Sequence, residues 1–161
     1  MLDTCLRWTS CLVALLAAAG CSTQEADELS YDPIHGRWNG ADWSGGPATV
    51  RRDPERTIVV RIYEQTTQGD PCSLSTTAGR RMEIMMPHMA AGSYDAKSSS
   101  GFRVEMWDGL QGQSDPSSLG EIDQASKKAG DKVIGRARFG SMISGEMIEG
   151  SFSATVCEDL P

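Results

Sequence analysis

The densest run of chemistry-bearing side chains is Met82-Glu83-Ile84-Met85-Met86-Pro87-His88-Met89. Thioethers and an imidazole are soft to borderline ligands that suit Cu(I), so Met85, His88 and Met89 form a candidate metal site. Strand alternation opposes it, because Met82 and Met86 would point inward while Met85 points outward. Methionine is also an ordinary filler of irregular cores. Periplasmic Cu(I) binding is therefore an alternative rather than the main expectation, and no cofactor is expected.

Acid–base and nucleophilic chemistry finds little material. His35 and His88 are the two histidines, and a serine nucleophile needs a base beside it. Gly140-Ser141-Met142-Ile143-Ser144-Gly145 has the wrong spacing for a nucleophile elbow, and neither a P-loop nor a zinc-protease helix motif is present. Glu83 and Glu105 fall on the polar faces of neighbouring candidate strands, within the reach a glycosidase pair requires. Outward carboxylates are, however, what any soluble sheet carries. No enzyme is expected.

The chain has 161 residues, with 15 Lys+Arg against 22 Asp+Glu, a net charge of −7 and a pI near 4.8. That excludes the basic footprint of a nucleic-acid partner. With 39% hydrophobic and 23% charged residues, the chain has material for a core and is not of disordered composition. No apolar run approaches the roughly 18 residues of a membrane-spanning helix.

The N-terminus carries one cation, Arg7, then an apolar stretch from Cys11 to Ala19, as a secretory leader does. Leu16-Ala17-Ala18-Ala19-Gly20-Cys21 resembles the lipobox of bacterial lipoprotein precursors. The resemblance implies a signal peptide over 1–20, cleavage before Cys21, and diacylglycerol on the Cys21 sulfur. Membrane lipid is then the partner and the bacterial cell envelope the location. Ser22, where Asp would favour the inner membrane, points to the outer membrane, at its periplasmic face or the cell surface. Two or three acyl chains, at about 0.8 kcal/mol per buried methylene, make such a tether effectively permanent. The alternative is an ordinary secreted protein cut after Ala19.

Of the five cysteines, Cys5 and Cys11 would leave with the leader and lipid would consume Cys21. Cys72 and Cys157 remain, and in an exported chain they are expected to pair. The bridge would close a loop of about 86 residues, which contributes on the order of 4 to 5 kcal/mol in the chain-entropy treatment.

Residues 21–33 read as a flexible acidic tether, and 34–161 as the folded domain. Ile58, Val60 and Ile62 alternate along one run, and Met82, Ile84 and Met86 along the next. Phe102, Val104 and Met106 form a third inward set, and Val133, Ala137 and Phe139 a fourth. Ile148, Phe152, Ala154 and Val156 form the last. Turn signals separate them, including Gly69-Asp70-Pro71 and Ala91-Gly92-Ser93. Seven to eight short strands predict an all-β domain, an antiparallel sandwich or small barrel. Residues 118–130 fit either a short helix, through the capping box Ser118–Glu121, or a hairpin of Gly120–Ser126 with Lys132–Phe139. Thin apolar content at Ile122 and Ala125 favours the hairpin.

Gly36-Arg37-Trp38 is similar to the G-x-W that opens lipocalins and other calycins. That likeness implies that Trp38 closes one end of a barrel carrying a small apolar ligand. The main expectation is a lipid-anchored, non-enzymatic binding or structural module of unknown ligand.

Overall fold

Alternation builds the strands it predicts, and long-range pairing adds others. The computed structural model describes residues 28–55, 57–75, 79–141 and 145–161. The leader and Cys21 lie outside the described residues, as do Met142, Ile143 and Ser144. Among the described residues ten strands run in chain order: β1 His35–Trp38, β2 Ala41–Arg52, β3 Ile58–Glu64, β4 Arg80–Met86, β5 Gly92–Asp95, β6 Arg103–Asp108, β7 Gln111–Ser114, β8 Leu119–Gln124, β9 Lys132–Ser141 and β10 Glu146–Val156.

All ten belong to one sheet, ordered β5-β8-β9-β10-β1-β2-β3-β4-β6-β7, which curls into a half-barrel. The all-β expectation holds, with ten strands where seven to eight were expected. The segment 118–130 resolves as the hairpin, Gly120 facing Ala137 and Ile122 facing Gly135. Gly92-Ser93, read as a turn, instead opens β5.

The expected inward sets share one face. Ile58, Val60, Ile62, Met82, Ile84, Met86, Val104, Met106, Val133, Ala137, Ile148, Phe152, Ala154 and Val156 are all buried there, joined by Trp38, Trp43 and Val50. At roughly 1.5–3 kcal/mol for each large apolar side chain, this face supplies the main folding drive.

The sheet has a seam along β10. One edge of that strand pairs with β9 over ten residues, Glu146 to Thr155. The other edge is completed piecewise. β1 pairs antiparallel at Ile148 and Glu149, and Pro33 bridges to Ser151. β2 pairs parallel at Thr155 and Val156. Ile34 N donates to Ser151 O at 3.0 Å, and Ser151 N to Asp32 O at 2.7 Å. The folded domain thus takes in the last residues of the stretch read as a tether.

Gly150 makes the seam possible. Its φ is +142°, and a Cβ there would stand 2.5 Å from Asp32 O and 2.6 Å from Ile34 Cα. Both obstacles are backbone. Gly150→Ala is expected to destabilise the domain by about 3 kcal/mol, combining backbone strain with overpacking. A urea transition unchanged in midpoint would contradict this reading of the seam.

Candidate functional site

Besides its bonds to β10, the strap formed by residues 29–33 is gripped at Leu29 and Tyr31 by Arg136, on the outer face of β9. Arg136 Nη2 lies 2.9 Å from Asp123 Oδ1 and 2.9 Å from Glu121 Oε1, and Nη1 donates to Leu29 O at 3.2 Å. The guanidinium also sits 4.0 Å from the Tyr31 ring centroid. The Asp123 hydrogen bond raises the Arg136 pKa above its ordinary value, outweighing the opposing effect of burial. Alternation alone puts Arg136 opposite Val133, Ala137 and Phe139, as one outward cation on β9. Its partners become visible only once β8 and β9 pair in register.

Cys72 and Cys157 are bonded to each other, with Cα atoms 5.4 Å apart. Cys157 follows β10 directly, and its N donates to Val50 O at 3.0 Å. The bridge therefore pins the end of the seam where β10 meets β2. Arg51 on β2 also donates to the Cys72 carbonyl.

Trp38 is buried at 1% exposure. Arg80 lies 5.4 Å from its ring centroid and donates to its carbonyl at 3.1 Å. The indole N–H reaches Gln113 Oε1 at 3.4 Å. Trp38 thus caps the inner face near β7, but the space beside it is filled by packed side chains rather than kept for a ligand.

The methionine cluster is split by the pleat. Met89 joins Met82, Met86 and Met106 in the inner core, His88 is exposed, and Met85 pairs in register with Val59 and Arg103 on the outer face. Met85, His88 and Met89 are not brought to one point. Among the described residues, no group of three or more His, Cys, Asp or Glu is placed to hold a metal either.

Glu83 and Glu105 do face each other across β4 and β6, but not on a solvated face. Glu83 Oε1 accepts from Arg61 Nε and Arg81 Nε, each at 2.8 Å. Glu105 accepts from Arg103 Nε at 2.9 Å and from the Trp107 indole at 3.1 Å. Arg81 lies 5.0 Å from the Trp107 ring centroid and donates to Gly109 O at 2.9 Å. Val59, Tyr63, Arg81, Glu83 and Met85 are all at most 6% exposed, so both faces of β3 and β4 are withdrawn from water. The carboxylates are tied down as counter-ions of Arg61, Arg81 and Arg103.

A surface cleft of about 420 Å³ lies on the outer side between the strap and the β5 edge. Leu29 and Leu119 give it an apolar floor. Ser93, Ser98, Ser99, Asp95 and Glu121 surround that floor with hydroxyls and carboxylates. Asp95 already accepts from Lys97 N at 2.8 Å, and Glu121 is paired with Arg136.

No family model, curated protein or solved structure matches this chain. This cleft offers hydrogen-bond donors and acceptors over a small apolar floor, which is the make-up of a binding surface. Its serines are lined up with Asp95 and Glu121 and with no histidine.

Proposed function

We propose that this chain is a lipid-anchored protein of the bacterial cell envelope, most simply of the outer membrane, acting as a non-enzymatic binding or structural module. The observation that carries the reading is Cys21 at the end of Leu16-Ala17-Ala18-Ala19-Gly20. The Cys72–Cys157 bond supports it, since disulfides persist where proteins are exported. So does the packed inner face, which leaves the outside of the sheet as the place to meet a ligand or partner. A carrier with a ligand inside the barrel is disfavoured by that same packing.

The test is metabolic labelling with palmitate in a bacterium that processes lipoproteins. The wild-type chain should take up label and partition into detergent, and Cys21→Ala should do neither. Equal labelling of both chains, or label in neither, would overturn the anchor.

A further inference from the structure

Three separate parts of the chain build the cleft over β5 and β8. In register, Ser93 faces Glu121 and Asp95 faces Leu119. A Cβ on Gly120 would stand 2.8 Å from the Phe102 ring in the core. Leu119 and Glu121, on the opposite side of the pleat, therefore turn outward, and Ser93 and Asp95 turn outward with them. Leu29 of the strap forms one wall, and Ser98 and Ser99 form the other. The second wall is fixed to β5: Asp95 N donates to Ser99 Oγ at 3.0 Å, and Asp95 O accepts from Ser98 N and Ser99 N at 3.1 and 2.7 Å. Arg136, itself buried, fixes the first wall to the floor, since it grips the Leu29 carbonyl and Glu121 Oε1 together.

The lining favours one kind of charge. Among the described residues it includes Asp95 and Glu121 but no lysine, arginine or histidine. Lys97 N takes Oδ1 of Asp95 and Arg136 takes Oε1 of Glu121, which leaves each carboxylate a second oxygen. Asp95 and Glu121 are diagonal neighbours across the β5–β8 pairing, about 7–8 Å apart along the backbone. One ammonium, with its three donors, can bridge such a pair. The hydroxyls of Ser93, Ser98 and Ser99 add further acceptors. Leu29 and Leu119 beside them suit a short aliphatic body. The aromatic ring of the lining, Tyr94, is instead stacked on Phe102 at 5.4 Å, so it offers no open face to a sugar. An anion would meet two carboxylates of its own sign, in a chain of net charge −7.

We propose that this cleft binds a small amphiphilic amine, with its primary ammonium between Asp95 and Glu121 and its aliphatic part on Leu29 and Leu119. The proposal rests on the reading of the chain as a non-enzymatic binding module, and it names the class of ligand. The volume of about 420 Å³ falls in the range of small-molecule sites, roughly 300–1,000 Å³.

The test follows amide resonances of the full chain, exported, processed and isotope-labelled, during titration. n-Butylammonium chloride should shift Ser93, Asp95, Leu119 and Glu121 saturably, and 1-butanol and sodium butyrate should not. Butylammonium should also bind more tightly than methylammonium, through the apolar floor. Asp95→Asn combined with Glu121→Gln keeps the acceptors for Lys97 N and Arg136 while removing both charges. It should weaken butylammonium binding at least about tenfold, the contribution of one charge-assisted hydrogen bond. Salt supplies a second readout on the wild-type chain, should the double variant not fold. Raising ionic strength from about 0.01 to about 0.15 M shortens the screening length from about 30 to about 8 Å and should weaken butylammonium binding. Equal shifts from 1-butanol or butyrate, an affinity indifferent to the double variant or to salt, or no saturable shift at these residues would overturn the proposal. Amine binding needs no acyl chain, so this titration and the palmitate labelling succeed or fail separately.

Discussion

Replacing Cys72 and Cys157 together by Ser is expected to cost on the order of 4 to 5 kcal/mol of stability, the largest effect of any change considered. The bridge joins residues 85 apart in sequence, and constraint of the unfolded chain grows with loop length. Total stabilities of such domains run about 5–15 kcal/mol, so the loss is a large share of the whole. It is also local, because the bridge holds the two-residue parallel contact between β10 and β2. A urea midpoint well below wild type should be accompanied by faster amide exchange at Val156 and Cys157. An unchanged midpoint would mean that the seam is held by β1 and the strap alone. The double variant is the right probe, since a single one leaves a thiol that can pair elsewhere.

The second large effect is expected at Glu83. Its side chain is 6% exposed and receives both Arg61 and Arg81, themselves 13% and 4% exposed. Removing one partner of a buried pair costs about 3–5 kcal/mol, because a charge is left without compensation. Glu83→Ala strands Arg81 between β4 and Trp107, and should fall in that range. Glu83→Gln keeps an acceptor for the arginines and should lose less. Arg103→Ala should be nearly silent, because Arg103 is 52% exposed and surface pairs contribute about 0–1 kcal/mol. Chemical denaturation of the three variants checks the order. A Glu83→Ala loss under about 1 kcal/mol would contradict the structural role given to this ion cluster, since breaking a buried pair costs several times that.

The same cluster shows how far the sequence was legible. Alternation placed β3, β4, β6, β9 and β10, and it assigned Met82, Ile84 and Met86 correctly to the inner face. It also assumed that the opposite face meets water, which fails for Glu83, Arg81 and Met85 because both faces of these strands are buried. Period-two patterning cannot distinguish an outer face that is covered from one that is solvated.

β2 escaped notice for a different reason. Its register shifts between Gly45 and Ala48, so Trp43 and Val50, both inward, fall out of phase. β7 has no apolar residue to alternate; it is a strand because the Asp108–Gln111 turn folds it onto β6. The strap looked like a tether for want of Arg136, whose register partner Glu121 is settled by pairing far along the chain. The cysteine pair was the site feature most open to sequence reading, since it needed a count of residues rather than a geometry.

The lipid anchor at Cys21 is tested most directly by the intact mass of the protein extracted gently from its own membranes. The expected mass is that of a chain beginning at Cys21, heavier by its acyl groups and lighter by the two hydrogens lost to the Cys72–Cys157 bond. A mass matching a chain that begins at Gly20 and carries no lipid would contradict the anchor and, with it, the envelope function proposed for this protein.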